Sequence, residues 1–440
     1  MSTKTTMRLI LIILLLLPSL ACHKEKRPST AYWKRIEFAV HENYDKGQDL
    51  KDVEKDFELF KELKIQTWRG EFAWDDYEPQ QGRFDFGWLH QFCDLAQQHG
   101  IRLRPYLSDT PKWAAAGRTA DGVTWNDPPA RIREWRDFVG SLARSLSGHR
   151  NVLSYEIYNK ENKKESWDGS LEEYRAVFAT AAEQIRTTSP GKQVILGGLV
   201  GPDPDWVEGM CELARAVSPN AIPFHAYPET STPNTVLVEN FLSPTFLTDF
   251  VAKSDSQCGS RPIWLNETGY ATYGGKTERD QAAWWARAIP TFAATPRISL
   301  IGIYEIKDSP ADSAGDAVSH HFGLTHASRQ PKMAFHTVRL LVDFFTADSI
   351  QVDDDGLEIQ GGDTRIQHHL FRRPDGRRLF VLWSTQGTAK VRVDLAEKGK
   401  QAVEYALDGS TRDVPFSKRR TFKDIQLAER EPRLFIIEKR

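Results

Sequence analysis

The chain has 440 residues, 40% of them hydrophobic and 27% charged, with a formal net charge of −2. That length suits two or three domains, one of them large enough to be a barrel, and the near-neutral balance excludes an electrostatic footprint for nucleic acid. The 13 Trp and 12 Tyr supply flat faces of the kind that stack on sugar rings, although most such side chains in any protein are core.

The first residues read as an export signal. Lys4 and Arg8 precede an apolar run from Leu9 to Leu17, too short for a bilayer span, which needs about 20 residues. Pro18-Ser19-Leu20-Ala21-Cys22 then resembles a bacterial lipobox, so residues 1–22 are expected to be a signal peptide of the lipoprotein type, with Cys22 lipidated. The expected location is the cell envelope, membrane-anchored and facing the periplasm or exterior. Residues 23–33 read as a polar tether. Cys93, Cys211 and Cys258 match no zinc spacing; Cys93 and Cys211 fall in helical patterns as small core residues. Neither a structural metal, a cofactor nor an obligatory disulfide is expected.

From residue 34 to 345 short apolar runs alternate with longer amphipathic ones. Strands are predicted at Ile36–His41, Gln66–Glu71, Arg102–Leu107, Val152–Tyr158, Gln193–Gly197, Ala221–Ala226, Pro262–Asn266 and Leu300–Tyr304. Helical periodicity lies between them, as at Val53, Phe57, Phe60 and Leu63, and over Trp88–Gln98, Arg131–Leu146, Leu171–Thr187, Asp205–Val217, Glu239–Ala252, Arg279–Ala293 and Lys332–Phe345. Eight strand-then-helix units make an α/β fold, a (β/α)8 TIM barrel. A doubly wound sheet is the alternative, weakened because no Gly-rich phosphate turn follows the first strand. After Phe345 the texture changes. Gln367–Arg372 and Arg378–Ser384 flank the turn Pro374-Asp375-Gly376, and Val391–Leu395, Ala402–Leu407 and Arg433–Glu438 also read as strands, so residues 346–440 form a small C-terminal all-β, sandwich-like domain.

In such a barrel the chemistry sits at the C-terminal strand ends. These offer His41, Glu42 and Asn43; Arg69, Glu71 and Trp74; Asp109 and Trp113; Asn159, Lys160, Glu161 and Asn162; His225 and Tyr227; Asn266, Glu267 and Tyr270; and Glu305, Lys307 and Asp308. A rim rich in carboxylates and aromatics is what glycoside hydrolysis requires: one carboxylate attacks or stabilises the anomeric carbon and a second, protonated one donates to the leaving oxygen. His320-His321 and His368-His369 lack acidic or cysteine partners at ligand spacing and read as solvated histidines. Trp113 and Trp167 suit packing under loops as well as sugar stacking, and Trp74 suits packing better.

The segments Trp68 to Trp74, Tyr77-Glu78-Pro79, Gly82 to Phe86, Thr110 to Trp113, Tyr155 to Asn162, His225 to Pro228 and Trp264 to Tyr270 together resemble the clan A retaining glycoside hydrolases. They are most similar to the family 39-like endoglycosidases of bacterial exopolysaccharide operons. The resemblance implies Glu267 as nucleophile, Asn159 on the sugar 2-hydroxyl, His225 and Tyr227 lining the subsite, and Arg69 keeping Glu267 ionised. Trp113, Lys160 and Glu305 are further substrate-binding candidates from their place at the strand ends, although Glu305 reads better as a salt bridge to Lys307 or Arg69 than as a catalytic acid. It also implies a carbohydrate partner, a poly- or oligosaccharide.

One departure stands at the catalytic position itself. The family's acid/base glutamate falls on Lys160, and the proline that follows it falls on Glu161. Three readings compete. The turn is re-registered and Glu161 becomes the acid, although it must bend back because successive residues point to opposite sides. Alternatively Lys160, or another strand-end acid among Glu71, Asp109 and Glu305, donates the proton. Or catalysis is lost and Lys160 pairs with Glu267 in a carbohydrate-binding pseudoenzyme of the envelope.

Overall fold

The computed structural model describes residues 31–117, 122–214, 219–230, 236–241, 244–310, 317–346, 348–362 and 365–439. The expected signal peptide, Cys22 and most of the tether lie outside the described residues. The described chain opens on a strand, β1 (Tyr32–Lys34), and continues into nine parallel strands. These are β2 (Glu37–His41), β3 (Thr67–Glu71), β4 (Arg102–Leu107), β5 (Ser154–Ile157), β6 (Gln193–Leu196), β7 (Leu199–Val200), β8 (Ile222–His225), β9 (Ile263–Thr268) and β10 (Ile298–Tyr304). The order around the sheet is β6-β5-β4-β3-β2-β10-β9-β8-β7. β6 and β7 are two pieces of one strand, parted by Gly197-Gly198, so the ring is an eight-stranded barrel with a break in its fifth strand.

That break has a steric cause. A Cβ on Gly197 would lie 2.1 Å from Glu161 Oε2, and one on Gly198 would lie 2.1 Å from His225 Nε2. Only glycine lets the backbone pass this close to the two side chains. The strands are buried along most of their length, as expected where helices cover a parallel sheet. Those helices begin at recognisable caps. Ser170 and Thr277 each close a reciprocal capping box, with Glu173 and Asp280 respectively, satisfying donors the first turn would leave open.

The C-terminal unit is a two-sheet sandwich. Its strands are β11 (Ile350–Val352), β12 (Leu357–Gln360), β13 (Ile366–Arg372), β14 (Arg378–Ser384), β15 (Ala389–Leu395), β16 (Ala402–Tyr405), β17 (Thr411–Asp413), β18 (Thr421–Leu427) and β19 (Arg433–Ile437). One sheet runs β1-β11-β13-β14-β19-β16-β17 and the other β12-β15-β18. β14 is buried throughout, and its period-two alternation explains why. Leu379, Val381 and Trp383 join the core shared with the barrel. Phe380 and Leu382 join the core between the two sheets. One strand is thus sealed on both faces, and sandwich and barrel share one apolar interface.

Two sequence expectations are corrected here. The end of the supposed tether is not free: Tyr32 and Trp33 pair antiparallel with Val352 and Gln351, so the start of the described chain completes the C-terminal sheet. Cys211 and Cys258 are joined as a disulfide across a separation of 47 residues, with Cα atoms 4.7 Å apart, while Cys93 is free and buried. Both cysteines sit on helices, Pro204–Ala214 and Pro244–Cys258, whose packing against each other no local pattern announces.

Candidate active site

Glu267 lies near the end of its strand among five polar groups carried by four other strands, β2, β3, β5 and β8. Its Oε2 lies 2.8 Å from His41 Nδ1 and 3.1 Å from Arg69 Nη1. Its Oε1 accepts from the Tyr227 hydroxyl at 2.6 Å and stands 3.2 Å from Lys160 Nζ and 3.4 Å from His225 Nδ1. Burial by itself would push this carboxyl up. The His225, Lys160 and His41 groups outweigh burial and hold Glu267 well below the usual carboxylate range. Burial pushes both imidazoles below their ordinary value, His225 most strongly, against the opposing pull of the Glu267 charge, and it raises the Tyr227 hydroxyl, which stays a donor.

Arg69 is the hub of the floor beneath. Its guanidinium forks onto Glu156, Nε to Oε2 at 3.0 Å and Nη2 to Oε1 at 2.7 Å, the bidentate geometry that arginine makes and lysine cannot. Nη2 also donates to Asn159 Oδ1 at 2.9 Å, which leaves the Asn159 amide nitrogen as the end free for a ligand. Glu156 accepts further bonds from Asn266 Nδ2 and Gly198 N, both at 3.0 Å. A buried cation is therefore balanced by two buried carboxylates whose lone pairs are filled, the condition under which a buried charge cluster is tolerated.

The structure thus gathers Arg69, Asn159, Lys160, His225 and Tyr227 around Glu267. It does not bring Glu161 there. Glu161 is 1% exposed and turned behind the cleft against Gly197 and Tyr174. Neither of its carboxyl oxygens has a well-aligned hydrogen-bond partner among the described residues: the neighbouring Tyr174 hydroxyl, the one donor close to it, points its proton at the Ile157 carbonyl at 2.8 Å. Burial, reinforced by the charge of Glu156, pushes Glu161 up to about 8, so it is neutral at pH 7. The expectation that it bends back into the cleft is not met. Lys160 takes that direction instead, in the left-handed region at φ 58° and with its side chain 38% exposed.

Trp113 packs edge-on against Trp74 and donates to the Glu78 carbonyl at 2.9 Å. Trp167 is buried against Tyr158. Glu305 is not paired with Lys307, whose ammonium goes to Glu42 and Asp56 at 2.6 Å each; burial and the nearby Glu42 charge raise Glu305 well above the usual range. His369 contacts Asp354 at 3.0 Å, and no group of three metal-ligating side chains occurs among the described residues. Sequence reasoning passed over Glu156 as a site member, and it placed His41 and Asn266 at the rim without giving either a role. The available signal was an ionisable or amide side chain within an otherwise apolar strand, as in Tyr155-Glu156-Ile157.

Comparison with known proteins adds a family context. A family model described as beta-galactosidase, glycoside hydrolase family 42, matches residues 43–118, the segment carrying Arg69, Glu71 and Asp109. Beta-galactosidase Bga of Halorubrum lacusprofundi is 35% identical over 66 residues, which is 14% of this chain and 9% of that protein's length. A family 39 glycoside hydrolase from Bacteroides cellulosilyticus WH2 superposes with a TM-score of 0.70 at 15% identity, covering 92% of this chain and 81% of the other. A GH39 beta-xylosidase from Caulobacter crescentus gives 0.67 at 13%, covering 92% and 96%. A GH30 endoxylanase from Clostridium papyrosolvens C71 gives 0.63 at 10%, covering 93% and 98%. The fold that the chain shares with these structures is a TIM barrel with a β-domain.

Proposed function

We propose that the protein is a glycoside hydrolase acting with retention on an extracellular poly- or oligosaccharide, with Glu267 as its nucleophile. One observation carries this reading: a carboxylate at a barrel-strand end is held ionised despite full burial, by donors that converge on both its oxygens. Such a group is ready to form a covalent glycosyl intermediate. Asn159 would meet a sugar hydroxyl, His225 would back the nucleophile from beneath, and Tyr227 would orient it. The Cys211–Cys258 bond suits an oxidising compartment, in keeping with export and with anchoring through Cys22.

A second reading rests on Lys160. A cation 3.2 Å from Glu267, at the position where the resembled family carries its acid, suits a cleft that binds carbohydrate without cleaving it. A screen of the purified mature protein against aryl glycosides and oligosaccharides, with the released anomer followed by NMR, separates the two. Hydrolysis with retained configuration supports the enzyme. Saturable sugar binding with no hydrolysis of any substrate supports the binding protein, and inverted product removes the nucleophile role.

A further inference from the structure

We propose that the general acid/base of this site is a carboxyl pair, Glu71 and Asp109, on the barrel side facing Glu267. This rests on the glycosidase reading above. In the ring order of eight strands, β9, which ends at Glu267, has β4 as its diametric partner. β4 leads into Asp109, and β3, beside it, ends at Glu71. A proton donor must approach the glycosidic oxygen from across the sugar, and this pair does so. Glu305 lies at the end of β10, next to the nucleophile's own strand, and Glu161 is enclosed.

Local geometry builds the pair. Glu71 shares a strand face with Arg69 two residues earlier, which sets it one step of about 6.6 Å nearer the mouth. The Ser108 hydroxyl donates to Glu71 Oε1. Asp109 adopts the left-handed conformation, φ 62°, an unusual choice for a side chain that a plain continuation of the strand would aim elsewhere. The rim is pinned from the other side, Trp74 N bonding Ser108 O at 2.8 Å and Asp75 N bonding Asp109 O at 3.1 Å. Both residues are half-buried. Tyr106, which pairs with Glu71 across the strands, lies over Arg69 and edge-on to His41, and it feels the charges of Glu71, Asp109 and Glu267 alike, so it stands between the pair and the nucleophile.

The electrostatics agree. Burial, then the charge of Asp109, with Asp75 and Asp76 behind, pushes Glu71 up to about 8; burial and the charges of Asp75 and Asp76 push Asp109 up to about 7. The Ser108 hydrogen bond acts the other way on both. Glu71 and Asp109 are within hydrogen-bond reach of each other, and two carboxyls in contact hold one proton between them in preference to both ionising.

The step balances. Glu267 carboxylate forms a bond to the anomeric carbon, the carbon–oxygen bond to the aglycone breaks with its electron pair on oxygen, and that oxygen takes the proton of the pair. The pair, now dianionic, then accepts a proton from the water that attacks the anomeric carbon. Glu267 departs as carboxylate and the starting protonation returns.

The test compares Glu71→Gln, Asp109→Asn, Glu161→Gln and wild type on aryl glycosides graded by leaving-group acidity, with azide as an added nucleophile. The expected result is a loss of about 100-fold or more for poor leaving groups in Glu71→Gln or Asp109→Asn. The loss is smaller for dinitrophenyl leaving groups, azide restores turnover, and Glu161→Gln is unaffected. Equal losses for every leaving group in both pair variants, or no loss, overturn the pair as acid/base. Circular dichroism of each variant excludes misfolding as the cause. Labelling of wild type by an activated 2-fluoro glycoside, which needs no acid, reports separately on Glu267: its absence removes the underlying glycosidase reading and the pair's role with it.

Discussion

Replacing Glu161 with Gln tests whether the residue after Lys160 is an enclosed neutral acid or a working one. An acid whose folded pKa is raised binds more protons folded than unfolded between the two values, so its contribution to stability falls as pH rises through that window. For Glu161 the window runs from its ordinary 4.5 to about 8. At roughly 1.36 kcal/mol per pH unit, wild type loses about 2–3 kcal/mol from this group alone between pH 5 and pH 7, and the variant does not. Full burial means that solvent screening does not discount the figure. The assay is urea unfolding of both proteins at pH 5, 6 and 7. Other titrating groups cancel in the difference, and any fixed cost of placing the amide beside Tyr174 is a constant offset. The variant's stability relative to wild type should climb steadily with pH. A difference that stays flat would show that Glu161 ionises normally, which refutes the buried placement and returns it to the cleft as a candidate acid.

Three other outcomes follow from the same contacts. Arg69→Ala leaves Glu156 and Glu267 buried without their cation and should cost about 3–5 kcal/mol in denaturant unfolding, with Glu267 labelling lost. Lys160→Ala removes an ammonium 3.2 Å from Glu267. The nucleophile's pKa therefore rises, and the acid limb of its labelling rate should move to higher pH; an unchanged limb would show that the ion pair does not form in solution. Cys211→Ser opens a link across 47 residues and should lower unfolding stability by about 4 kcal/mol on the chain-entropy account, checked by urea titration beside a thiol count.

What could be read from the chain, and what could not, divides along physical lines. The eight barrel strands were recoverable because each is a short apolar run set between amphipathic helices: Arg102–Leu107 was placed to the residue, and the others to within about two. The fifth is the instructive one, since its continuation past Gly197-Gly198 depends on side chains from neighbouring strands. Strands of three residues such as β1, β11 and β17 carry too few alternations to show a period, and β1 pairs with β11 across more than 300 residues. Glu267 and Arg69 stood out because they end apolar runs at a barrel rim. The direction of Glu161 did not, because it follows from the left-handed backbone of Lys160 and from the space two glycines leave. Glu71 and Asp109 were visible as reserve acids, but their pairing required the register of β3 with β4.

The central claim, that Glu267 is a nucleophile, is tested most directly by peptide mapping after incubation with activated 2-fluoro glycosides. The account predicts a single glycosyl adduct on the peptide containing Glu267, absent in Glu267→Ala. An adduct on another carboxylate, or none while sugar binding persists, would contradict it.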